Sequence, residues 1–133
     1  MIGLDTNVLL RFIAKDDWAQ TRRVRKIIEA YRGKQKSVYI SDISLCETVW
    51  TLKSAYKYSK IELIAVLENL SDMEELSFSD LTLFKQATEL YKNGKADFAD
   101  YFLALKNKQA GCEFAYSFDN QLIKESLATP ISH

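Results

Sequence analysis

Five carboxylates in this sequence sit where a fold could use them for chemistry as well as for solubility. Asp5 ends the short apolar run "MIGLD", Glu47 lies in "SLCE", Asp97 and Asp100 bracket "DFAD", and Asp119 closes "AYSFD". Acids three apart share one face of a helix, so Asp97 and Asp100 present their carboxylates together in a first turn. Crowding such charges costs free energy, because each disfavours the ionised form of its neighbour. A divalent cation removes the conflict. Oxygen donors with no His or Cys beside them select a hard ion, Mg²⁺ or Mn²⁺, over zinc. The single His, His133, is the last residue and reads as a chain end, not a ligand. A carboxylate-held ion suits phosphodiester hydrolysis, where it polarises a phosphoryl oxygen, generates hydroxide and steadies the leaving oxygen.

Each acid also has a structural role open to it. Glu47 completes an S-x-x-E capping box with Ser44. Asp97 suits the N-cap of its helix, and Asp100 the positive end of the macrodipole. Asp119, followed by Asn120, suits a turn or a cap. Asp5 is the hardest to account for in this way, since an acid ending a central strand lies near the core and is costly unless partnered.

The elements that must position these acids can be read from the pattern. "MIGLD" reads as a first strand, with "NVLLRFIA" turning at once into a helix. Asp16 and Asp17 can cap "WAQTRRVRKIIEAYR", which Gly33 closes. "SVYIS" is a strand. "DISLCETVWTLKSAY" is helical by the spacing of Ile43, Cys46, Val49 or Trp50, and Leu52 or Lys53. Ser59 and Lys60 open a helix running through Leu70. "EELSF" is a strand, and a helix over 80–93 is capped by Ser79 and stopped by Gly94. A helix over 97–110 stops at Gly111, "CEFAYS" is a strand, "NQLIKES" a short helix, and "TPIS" a last edge strand that tolerates its Pro. Strands alternating with helices predict an α/β sandwich with a mainly parallel sheet and right-handed crossovers. Ligands of such sheets bind beyond the carboxyl ends of the strands, so all five acids are expected on one rim.

Composition bounds the alternatives. A chain of 133 residues, 47% of them hydrophobic, is long enough for one core and too short for two, which predicts a single domain over 1–133. Lys plus Arg and Asp plus Glu both number 18, so net charge gives no sign of a nucleic-acid partner and any steering must come from charge distribution. Arg11 and Lys15 are the basic candidates on the first helix; Arg22, Arg23, Arg25 and Lys26 read as a solvated face. Cys46 and Cys112 lie in patterned segments and are expected to be buried, reduced thiols of a cytoplasmic protein. No apolar run approaches the length of a membrane span.

"MIGLDTNVLLRF", "ADFADYFLA" and "AYSFD", in that order, resemble the PIN-domain ribonucleases, and within them the VapC-like toxins of toxin–antitoxin pairs. The likeness covers essentially the whole chain and implies a PIN-like three-layer sandwich. Carried over by position, it makes Asp5, Glu47, Asp100 and Asp119 the metal-binding acids, Asp97 an additional one, and Thr6, Asn7 and Ser117 their polar supports. It implies Mg²⁺ or Mn²⁺ as cofactor, water as nucleophile, RNA as substrate, a homodimer, and a small antitoxin partner, for which Trp50, Tyr56 and Tyr58 could line a groove. Two other readings stay open. One is a PIN-like module that binds protein or RNA without cleaving. The other is a haloacid-dehalogenase-type phosphatase, which would want a second Asp where Asn7 stands.

Overall fold

The computed structural model describes residues 1–14 and 16–132, so Lys15 and His133 lie outside the described residues. The chain forms two compact units, residues 1–81 and 82–133.

In the first unit, β1 (Ile2–Leu4), β2 (Val38–Ile40) and β3 (Leu76–Phe78) form a parallel sheet in the order β1-β2-β3. Parallel neighbours need long crossover connections, and helices supply them. α1 (Thr6–Ala14) and α2 (Trp18–Ala30) join β1 to β2, and α3 (Asp42–Ser54) and α4 (Lys60–Asp72) join β2 to β3. Val38 and Ile40 are fully buried, with Leu9, Leu45, Leu52, Leu63 and Leu67 from the helices. The registers Leu4 with Ile40 and Ile40 with Phe78 bring the carboxyl ends of the three strands to one edge. α1 starts two residues past β1 and α3 two residues past β2, so Asp5 and Ser41 both occupy that edge.

Local signals explain the helix ends. The Asp17 carboxylate accepts from the Gln20 N–H at 3.1 Å and caps α2, and Gly33 with φ +76° supplies the left-handed turn after it. Asp16, the other candidate cap, pairs instead with Arg11 at 3.0 Å. Ser59 and Glu62 form a reciprocal capping box at the head of α4.

Several expectations are corrected here. The box expected at Ser44 and Glu47 does not form, because α3 begins at Asp42 with Ser41 as its cap and Glu47 falls in the second turn. The buried face of α3 is Leu45, Thr48, Val49 and Leu52, while Ile43 and Trp50 are 71% and 60% exposed. Val49 and Leu52 of the expected stripe do face inward, but α3 is apolar on more than one side, so spacing alone also admitted the exposed Ile43 and Trp50. Cys46 is half-buried and Cys112 exposed, because Cys112 falls in the loop after α6 and not in a strand. Burial pushes the Cys46 thiol up to about 11, with Asp42 adding to the shift, so it stays protonated. The Ser79 hydroxyl bonds the Tyr39 hydroxyl at 2.7 Å, and the helix after it starts at Leu81.

The second unit carries α5 (Leu81–Asn93), α6 (Phe98–Gln109) and α7 (Asn120–Lys124), with β4 (Tyr116–Ser117) and β5 (Thr129–Pro130). Its core is aromatic. Phe98 lies 6.2 Å from the rings of both Phe84 and Tyr91, edge-on to each, and 5.8 Å from Phe102. β4 pairs in parallel with β5, Tyr116 opposite Thr129 and Ser117 opposite Pro130. The expected strand "CEFAYS" is therefore only two residues long and belongs to a second sheet, because its partner is that short. No helix among the described residues is long and apolar enough to cross a membrane.

Candidate functional site

Three of the five acids stand immediately before a helix, where the first backbone N–H groups lack partners within the helix. Asp5 precedes α1, and its Oδ1 accepts from the Val8 N–H at 3.1 Å. Asp119 caps α7, its Oδ1 accepting from the N–H groups of Gln121 at 2.8 Å and Leu122 at 3.2 Å. Asp97 caps α6, and its own N–H donates to Asp100 Oδ2 at 3.2 Å, the Asp100 side chain reaching back across the first turn. Helix N-termini favour acidic side chains, so each of these carboxylates sits there with little strain on the fold. For Asp5 and Asp119, the hydrogen bonds among the described residues use Oδ1 and leave Oδ2 to point elsewhere.

The first unit brings Asp5 and Glu47 near each other through Thr6. The Thr6 hydroxyl donates to Glu47 Oε2 at 3.4 Å, a long bond that ties the second turn of α3 to the first residue of α1. Asp5 is exposed at this edge, which corrects the expectation of an acid close to the core; α1 begins as soon as β1 ends and turns it outward. Next to Glu47, Thr48 Oγ1 is buried with no hydrogen-bond partner among the described residues.

A cavity of about 320 Å³ opens beside Asp5, lined by Asn7, Val8, Arg11, Gln20, Arg23, Val24 and Ile27. Anion and cations thus share one depression. The Arg11 guanidinium is already engaged, donating to Gln20, to Asp16 at 3.0 Å and to the Tyr56 hydroxyl at 3.0 Å. That hydroxyl in turn donates to Asp16 at 2.8 Å. The Tyr56 bond, above all, holds Arg11 above its ordinary pKa and the Asp16 carboxyl below its own, and the Arg11–Asp16 attraction adds to both.

In the second unit the Ser117 hydroxyl accepts from the Asp119 N–H at 2.9 Å and fixes the turn into α7. Beneath the acids lies a network that sequence reasoning missed. Tyr101, fully buried, donates through its hydroxyl to Glu125 at 2.8 Å and 2.9 Å and accepts from the Ala96 N–H at 3.1 Å. Gln121 donates to Glu125 at 2.7 Å. The available signal was Tyr101 itself, since a Tyr on the apolar face of a helix must find a partner for its hydroxyl.

Asp5 and Asp119 follow strands of two different sheets, so the expectation that both end strands of one sheet is corrected. Among the described residues no three His, Cys, Asp or Glu side chains form a group placed to hold a metal ion.

The family model described as PIN domain matches residues 2–125. The chain belongs to the PIN-domain family. A curated relative, the VapC ribonuclease of Aquifex aeolicus (strain VF5), is 23% identical over 126 residues, covering 95% of this PIN-domain chain and 93% of the relative. The match spans both compact units.

Proposed function

We propose that this PIN-domain protein is a metal-dependent endoribonuclease, and the toxin of a toxin–antitoxin pair, acting in the cytoplasm. The observation that carries the reading is the set of helix-capping carboxylates, Asp5, Asp97 and Asp119, with Asp100 and Glu47 beside them, in a PIN-domain chain similar to a VapC ribonuclease.

The donor chemistry fits Mg²⁺ or Mn²⁺. Mg²⁺ keeps several waters and needs only one or two carboxylates together with substrate phosphates, so a preformed cage of three is not required. Asp5 with Glu47 within the first unit, and Asp97 and Asp100 with Asp119 within the second, are each a set of oxygen donors of that kind. When bound, the ion supplies charge for the phosphoryl oxygen and acidity for a water. The chain's own residues do the rest. Backbone N–H groups orient the Asp5 and Asp119 carboxylates, Thr6 orients Glu47, and Ser117 sets the entry to α7. In the cavity beside Asp5, Arg23 and Asn7 are suited to contact the RNA backbone, whereas Arg11 is better read as a structural brace held by Asp16 and Tyr56.

In this reading residues 1–133 work as one domain, which the single PIN-domain match over residues 2–125 supports. An antitoxin would cover the exposed apolar side chains Ile43 and Trp50 of α3 and Ile61 of α4, with a homodimer as the resting form. The test is cleavage of a cellular RNA pool by the purified protein with Mg²⁺ or Mn²⁺ and with EDTA. Discrete metal-dependent products support the reading. A folded protein that binds RNA without cutting it, at any metal concentration, favours the non-catalytic module.

A further inference from the structure

The acids of the second unit lie on two elements, Asp97 and Asp100 at the head of α6 and Asp119 at the head of α7. Two separate helices do not hold a fixed spacing by propensity, and α7 is only five residues long. Something must tie them. The bonds run without a break from one acidic element to the other. The Ala96 N–H, next to Asp97, donates to the Tyr101 hydroxyl, which donates to both oxygens of Glu125. Glu125 accepts from the Gln121 side chain, and the Gln121 N–H donates to Asp119 Oδ1. Tyr101 is also the residue after Asp100, so the ring that fills the core fixes the turn carrying that acid.

Gly94 shows how tightly this joint is packed. A Cβ at that position would overlap the Tyr101 hydroxyl and Glu125 Oε1, so the joint leaves room for no side chain there. Gly94 lacks a positive φ. Close approach, not backbone conformation, is what requires glycine here.

We propose that Tyr101 and Glu125 are positioning residues that set the spacing of Asp97 and Asp100 against Asp119, and so the affinity of the site for its metal ion. This rests on the metal-nuclease reading. Neither residue need touch metal or RNA; they act through the acids, as outer partners of metal ligands do, and loss of such a partner weakens metal binding about 10- to 100-fold.

The experiment is Mn²⁺ binding to the full-length protein without RNA, read from the electron paramagnetic resonance of free Mn²⁺, with thermal melting of each variant alongside. Tyr101→Phe and Glu125→Ala are expected to weaken Mn²⁺ binding about 10-fold or more. Glu125→Gln keeps an oxygen for Tyr101 and, once the Gln121 amide turns over, a partner for Gln121, so it should restore most of the affinity. A stability role alone would lower the melting temperature of Tyr101→Phe and Glu125→Ala while Mn²⁺ affinity stayed at the wild-type value, and that result overturns the proposal. Should Tyr101→Phe fail to fold, the Glu125→Ala and Glu125→Gln pair decides by the same criterion. If the wild-type protein takes up no Mn²⁺ that Asp100→Asn releases, the metal-nuclease reading itself fails and this inference falls with it.

Discussion

Substituting Asp5 two ways separates its structural from its chemical work. Its Oδ1 caps α1 through the Val8 N–H, and Asn caps a helix about as well as Asp while Ala does not. Asp5→Ala should therefore cost about 1 kcal/mol, a fall in melting temperature of roughly 2–8 °C for a chain of this size. Asp5→Asn should melt within about 2 °C of wild type, because the cap stays and only a favourable charge at an exposed helix end is lost. Activity should fall in both. A unit charge about 4 Å from another is worth about 4 kcal/mol at an effective dielectric near 20, and a divalent ion doubles the attraction. Water at this exposed edge screens much of that, yet a residue of about 3 kcal/mol is still a 100-fold loss of rate. The assays are thermal melting and RNA cleavage on the same preparations. Cleavage by Asp5→Asn at the wild-type rate would make Asp5 a cap and nothing more, and melting of Asp5→Asn at the Asp5→Ala temperature would refute the capping geometry.

Asp119→Asn should behave alike, keeping the bonds to Gln121 and Leu122 and losing metal-dependent cleavage, whereas Asp119→Ala should also destabilise the second unit, read by hydrogen exchange of α7. Thr48→Val removes a buried hydroxyl that has no partner among the described residues, so urea denaturation should show no loss, or a gain of about 1 kcal/mol. The Tyr56 hydroxyl, with Arg11, holds the Asp16 carboxyl below its ordinary value of 3.8, so the stability this gives is present above that value and lost as pH falls through the lower folded one. Tyr56→Phe should make the loss of stability below about pH 4 shallower than in wild type, and an unchanged acid limb would contradict the network.

What the sequence made legible follows from the physics of each feature. Helix ends were readable where a cap or a glycine has one strong local reason, as at Asp17, Ser59, Gly33 and Gly111. The stripe of α3 was readable only in part, at Val49 and Leu52, because Ile43 and Trp50 are as apolar as Leu45 and only the tertiary fold decides which of them face inward. The order of the parallel strands β1 to β3 follows from alternation with helices, but the separation of β4 and β5 into their own sheet depends on a two-residue pairing that no pattern announces. Among the acids, Asp97 and Asp119 were readable as caps by type and position. Asp5 was misread as core-facing because three strand residues give too little pattern to show where the strand stops. The Tyr101–Glu125 joint spans 24 residues and could not be paired from sequence, although a buried Tyr announces that some partner exists.

The most direct test of the central claim is the chemistry of the RNA ends made by the purified protein with Mn²⁺, and of the same reaction in EDTA. Water attack on phosphorus leaves a linear phosphate on one product and a hydroxyl on the other, so linear ends that disappear with EDTA and with Asp100→Asn are the expected result. Cleavage that persists in EDTA, or ends carrying a 2′,3′-cyclic phosphate from attack by the ribose hydroxyl, would contradict a metal-activated water held by these acids.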